Sequence, residues 1–232
     1  MKMPAGMCLL FMLLLGNIHV FCQQPVKHFN RSDFSATDST RLANEYGNNK
    51  VLVPQFALPM LVALSYFPEL KNTRIQFITK PAYSLLRTSP QLGGIMCRKT
   101  RRFSIVISDS TMWKLEPIML AQMDFNTQVG VIGHELSHVS DFSRRSFINL
   151  AASGVWHLSS KYIDRFEYMT DSICIAHGLG YQLLAWSMFV RNALHTGNYD
   201  GADNINKPMM HERYMNPATI TARMKKISIY NE

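Results

Sequence analysis

The chain has 232 residues, 47% of them hydrophobic and 17% charged, enough apolar side chain for one domain with a substantial core. That balance excludes a disordered, fibrous or low-complexity protein, and no internal repeat is visible. The formal net charge of +8 favours acidic partners or an anionic surface. Its densest run, Arg98-Lys99-Thr100-Arg101-Arg102, lacks the interleaved aromatics of single-strand binders, so no nucleic-acid partner is expected and the run reads as a solvated loop.

The N-terminus reads as a secretory signal over residues 1–22. Lys2 supplies a positive start, Cys8 to Leu15 a short apolar core, and Gly16-Asn17 a break. The core is too short for a membrane span, and cleavage near Cys22–Gln23 is expected. The longest later apolar stretch, Phe147 to Leu158, is interrupted by Asn149, Ser153, Gly154 and His157. The mature chain is therefore expected to be exported, periplasmic or secreted. No transmembrane segment is expected in it, and peripheral membrane contact is left open. Cys97 and Cys174 remain after the signal and read as two separate thiols, although an exported compartment permits a disulfide.

Residues 23–50 form a polar N-terminal arm with a short helix around Thr40 to Tyr46, and Asn30-Arg31-Ser32 is a formal glycosylation sequon. The remaining residues, 51–232, read as one domain. Gln55 to Tyr66 is apolar at helical spacing, despite Pro59. Thr73 to Thr79 alternates and reads as a strand, Pro81 to Arg87 as a short helix, and Ser89-Pro90 as a turn. Arg102 to Ser108 is the strongest strand. A helix capped by Asn126 or Thr127 follows and runs to about Ser143. Ser146 to Leu158, Lys161 to His177 and Leu179 to His195 read as three further helices. Asn216-Pro217 opens a last short helix that ends at Lys225-Lys226.

The helix after the strongest strand carries His134-Glu135-Leu136-Ser137-His138. Positions i and i+4 share a helix face, so His134 and His138 present two imidazoles to one metal ion. Glu135 projects to the side where a water would sit. Two His ligands, an open position and a carboxylate base are the elements of a zinc hydrolase. The competing reading is an amphipathic helix with two surface histidines. A third ligand comes from Phe166-Glu167-Tyr168-Met169-Thr170-Asp171: Glu167 faces the metal, and Asp171, one turn on, accepts the outer N–H of a ligand His. Each carboxylate has the alternative of a solvated helix residue. Cys174 shares the Glu167 face and reads as a packed thiol beneath the site.

Strand, His-Glu-x-x-His helix and Glu-x-x-x-Asp helix together resemble the gluzincin metallopeptidases. The pattern is most similar to the family of the membrane CAAX proteases and their soluble periplasmic relatives, over roughly Ile75 to Gly180. The resemblance implies a zincin-like α+β fold, with a small, partly antiparallel sheet against a helical body. It further implies zinc on His134, His138 and Glu167, Glu135 as general base, Asp171 behind a ligand His, and a protein or peptide substrate paired along the edge of the strand Phe103–Ser108. The sequence departs from the family at Thr170, where Ala is common, and at Asn216-Pro217, where His-Pro is common. His211 and Arg213 lie near that position as candidates for the oxyanion or substrate. The expected activity is a zinc-dependent endopeptidase. A zinc-containing peptide-binding or chaperone-like module without turnover would keep the same ligands but has no need of Glu135. His157, His177 and His195 read as structural or surface residues.

Overall fold

The computed structural model describes residues 23–110, 113–156, 159–195 and 212–231. The signal-like segment, His157 and His211 lie outside them. The architecture is α+β: a small mixed sheet of four strands against a mostly helical body. The strands are β1 (Lys50–Val51), β2 (Arg74–Lys80), β3 (Leu86–Pro90) and β4 (Arg102–Ser108), in the order β1-β2-β4-β3. The β1–β2 and β2–β4 pairs are parallel, and β3 runs antiparallel to β4 with Leu86 opposite Ile107 and Thr88 opposite Ile105.

Two expectations about this sheet are corrected. β4 is flanked on both sides, so it is an interior strand and not the substrate edge; the edges of the sheet are β1 and, next to β4, β3. The segment read as a helix and a turn, Pro81 to Pro90, contains that strand. Pro90 is tolerated because it sits at the end of an edge strand, where one missing N–H costs little.

The helices are α1 (Ala36–Tyr46), α2 (Ala57–Ser65), α3 (Phe125–Arg144), α4 (Phe147–Trp156), α5 (Ser160–Cys174), α6 (Gly180–Ala193) and α7 (Pro217–Met224). The helix α3 is central and packs against α2, α5, α6 and β3. Its cap is Asp124 rather than Asn126 or Thr127. Asp124 Oδ1 accepts from Thr127 N at 2.7 Å and sets a carboxylate on the positive end of the helix. Asn126 is instead buried, and its Oδ1 accepts from Phe29 N and from Gln182 Nε2, both at 3.0 Å. That bond, with Val26 O accepting from Gln182 Nε2 at 2.9 Å, fastens the polar N-terminal stretch to the body. Phe29 and Leu42 from that stretch enter the main core cluster.

The apolar face of α3, with Ile132, Leu136 and Val139 fully buried, accounts for its place in the core. Burying each such side chain stabilises the fold by about 1.5–3 kcal/mol. Gly130 and Gly133 form a second face that lets α6 and the turn before it come close. A Cβ at Gly130 would stand 2.2 Å from Gln182 O, and one at Gly133 would stand 2.5 Å from Leu179 Cδ1.

By length and composition Ser160–Ala193 is apolar enough to cross a bilayer, which corrects the expectation that no later segment is. It is two helices, α5 and α6, joined by a π-turn over Ile175–Leu179 in which Gly178 takes φ 94°. Both pack on α3.

Behind the turn, Glu69 Oε1 accepts from Ser140 Oγ at 2.6 Å, from His177 Nε2 at 2.9 Å and from Arg144 at 3.0 Å. Burial alone would raise its carboxyl. The bonds from His177 and Ser140 outweigh that and hold it down at about 2. His177, stacked on Phe67 at 4.3 Å, is structural, as expected, and His195 is exposed. The basic run is not all solvated. Arg101 is buried and donates to Ile95 O, Phe142 O and Arg145 O at 3.1, 2.7 and 2.9 Å, so it fixes the β3–β4 loop to the end of α3. Cys97 is exposed and Cys174 buried, and neither is in a disulfide.

Candidate metal centre

The helix α3 delivers His134 and His138 one turn apart, with their rings edge to face at 4.9 Å. The helix α5 crosses them and delivers Glu167. Its Oε2 lies 3.1 Å from His134 Nε2 and 3.2 Å from His138 Nε2. The three ligand atoms lie within 4.8 Å of one another, and the two histidines are buried. His134, His138 and Glu167 can hold a metal ion. The expected set is thus brought together, with both imidazoles presenting the same nitrogen.

What holds the other nitrogens decides whether those lone pairs are available. His134 Nδ1 donates to Asp171 Oδ1 at 2.8 Å. Asp171 is 1% exposed, and its second oxygen accepts from Met215 N at 2.7 Å. Its carboxylate cannot donate, so the proton of that bond sits on the imidazole and Nε2 is left as a base. His138 Nδ1 meets Thr170 Oγ1 at 3.1 Å, and the same hydroxyl donates to Phe166 O at 3.0 Å. A hydroxyl has one proton. With that proton on Phe166 O, Thr170 accepts from His138 and fixes the same tautomer. The departure at Thr170 therefore carries a role that sequence reading missed. The spacing contained the signal, since Thr170 lies one turn from Phe166 and next to Asp171.

The charges agree with this arrangement. Burial alone would lower His134, but the Asp171 and Glu167 carboxylates raise it well above its ordinary value. Burial would raise Glu167, but the charge on His138 and the bonds from both imidazoles hold it far below the carboxylate range. The cage is a carboxylate set between two imidazoles, a space that protons and a metal ion compete to fill. Its walls are aromatic. Phe166 stacks on His138 at 4.9 Å, and Trp186 and Tyr214 tilt against His134 at 5.3 and 5.7 Å.

Glu135 is outside the cage, 6% exposed, and points its carboxylate to β3, where Thr88 Oγ1 donates to Oε2 at 2.6 Å. His134, Glu135 and Tyr214 share one cavity of about 270 Å³ with apolar walls that include Leu86, Val131 and Leu183. Burial, followed by the charges of Glu167, Glu135 and Asp171, pushes the Tyr214 phenol well up, so it stays a donor at neutral pH. Neither Thr88 nor Tyr214 stands out in the sequence. Thr88 is placed by the register of β3, and Tyr214 by a segment tied down through Met215 N and the buried Glu212. Arg213 lines the cavity but spends its Nε on Asp164 at 2.7 Å, and it is not among the cage residues. Cys174 packs beneath the site near Gly133, and burial pushes its thiol up, out of reach of easy ionisation. No family model, curated protein or solved structure significantly matches this chain.

Proposed function

We propose that the chain is a zinc-dependent endopeptidase of the gluzincin type, exported after removal of residues 1–22. The observation that carries this reading is Glu135. A carboxylate that belongs to no cage contact, fixed by Thr88 and facing the same cavity as His134, is what a hydrolase needs and a mere metal store does not.

The donor set suits zinc. Two imidazole nitrogens and a carboxylate oxygen, gathered from two helices, are ligand types that zinc takes. Zinc held by His134, His138 and Glu167 would supply a Lewis acid and lower the pKa of a coordinated water. The chain's own residues do the rest. Glu135 takes the proton of the attacking water and returns it to the leaving amine. Thr88 limits Glu135 to one rotamer, so the carboxylate meets the water at a fixed angle. Tyr214 supplies a protonated phenol to the cavity for the carbonyl oxygen of the scissile bond. The free edge of β3 takes an extended peptide by strand addition, beside Glu135. The apolar walls of the cavity favour a large apolar side chain next to the cut.

Digestion of casein and of a mixed peptide library tests the reading. Zinc-loaded protein should cut internal bonds, and Glu135→Gln, which keeps the shape of the side chain, should lose at least about a hundredfold in rate. A zinc-loaded chain that binds these peptides with no difference in cleavage between parent and variant would favour the binding module instead.

A further inference from the structure

We infer that the end of the molecule formed by α4 and the β3–β4 loop docks on an anionic lipid surface. Two stretches meet there. Neither Pro81–Ser108 nor Phe142–Ile163 contains a single Asp or Glu. Arg98 Nε donates to Arg145 O at 3.1 Å, and Arg101 donates to Phe142 O and Arg145 O, so the loop lies against the end of α3 where α4 begins. Of the ten large hydrophobic side chains most exposed among the described residues, six belong to these stretches: Tyr83 (86%), Leu92 (87%), Met96 (75%), Ile148 (76%), Trp156 (59%) and Phe147 (39%).

The helix α4 has no charged residue along its length. Ile148 and Trp156 are two turns apart on one stripe, while Leu150 and Ser153 are the buried side. A short apolar helix exposed to water is unfavourable, and covering it recovers that area. Three features choose the cover. Exposed cations bracket the apolar stripe, Arg98 and Lys99 on the loop and Lys161 at the start of α5. Trp156, stacked on Tyr162 at 6.4 Å and left exposed, has the amphipathic indole that anchors helices at a lipid interface. A second copy of the chain would bring like charges together, since Asp141, the carboxylate at this end of α3, is already paired with Arg145 at 2.7 Å. An anionic bilayer satisfies the apolar stripe and the cations at once.

The docked face lies close to the metal cage. Phe142, whose carbonyl Arg101 holds, also stacks on His138 at 6.1 Å. The inference does not depend on the hydrolase reading, since binding is measured without turnover.

The full chain is mixed with vesicles of phosphatidylcholine alone or with added phosphatidylglycerol, and the sedimented fraction is measured. Expected is binding to the anionic vesicles that falls as salt rises. Arg98→Gln with Lys99→Gln should weaken it by about twenty-five-fold, about fivefold per charge. Ile148→Asp should reduce it further, to the level of the uncharged vesicles. Brominated acyl chains should quench the Trp156 indole, and Trp156→Phe should remove that quenching while binding persists. Leu92→Ser and Met96→Ser, on the separate loop, provide the same test if Ile148→Asp does not fold. Undiminished vesicle binding by the folded apolar variants would overturn the inference and move the contact to another segment. Equal binding to both vesicle types, or a parent dimer that Ile148→Asp splits into monomers, would overturn it as well.

Discussion

Replacing Asp171 by Asn is nearly isosteric, and its consequences follow from the two protons that the carboxylate accepts. Oδ1 takes the Nδ1 proton of His134 at 2.8 Å, and Oδ2 takes the backbone proton of Met215 at 2.7 Å, both out of contact with water. Asn has one acceptor oxygen and one NH2 group. With the oxygen on Met215 N, the NH2 faces His134 Nδ1. The imidazole then has to carry its proton on Nε2, and the lone pair that serves the metal is lost. With the oxygen on His134, the NH2 opposes the Met215 N–H, and a buried donor goes unpaired for about 1–3 kcal/mol. Either arrangement costs. The first predicts a fall in metal affinity of about ten- to a hundredfold, and the second a loss of stability with a displaced Tyr214 segment. Competition against a chromogenic chelator reads the first, and thermal unfolding with and without metal reads the second. An Asp171→Asn protein with parental metal affinity and parental melting would refute the assignment of both bonds.

Thr170→Val keeps the side chain's shape and removes the acceptor for His138 Nδ1, so chelator competition should show metal binding weaker by roughly tenfold. Gly130→Ala drives a methyl group into the carbonyl of Gln182, a backbone atom that cannot turn aside. Denaturant unfolding should show a loss of at least about 1–3 kcal/mol. Glu69, held at about 2 against its ordinary 4.5, contributes stability that is fully present above about pH 4.5 and is lost as the pH falls towards 2. Allowing for its partial exposure, the contribution is about 2 kcal/mol. Urea titrations of the metal-free protein at pH 6 and at pH 3 should show the parent losing more stability than Glu69→Gln over that interval.

The helical part of the site was legible because helix spacing is rigid. Once His134 is on a helix, His138 must share its face, and the same holds for Glu167 and Asp171. The core strands were legible from the alternation of Ile75 and Phe77 and of Phe103, Ile105 and Ile107, which are all buried. The edge strand β3 was not. Its sequence, Leu-Arg-Thr-Ser-Pro, is polar at the edge and ends in a proline, so local propensity reads as a turn while pairing with β4 makes it a strand. The assignment of β4 to an edge failed for the same reason, since strand order is a property of long-range pairing and leaves no mark on one strand's pattern. The helix cap moved by two residues because Asn126 serves Phe29 and Gln182, partners distant in the chain. Arg101 sits in a run of cations that reads as solvated, yet the three carbonyls that surround it come from the loop and the end of α3. Thr170 and Tyr214 owe their roles to atoms that face them across two elements, and a single sequence does not record those distances.

Metal content of the purified chain tests the central claim most directly. Full-length protein offered zinc and then dialysed should retain close to one ion per chain, and the double variant His134→Ala, His138→Ala should retain essentially none while keeping its fold by circular dichroism. Equal zinc in parent and double variant, or a folded parent that takes up no metal at all, would contradict it.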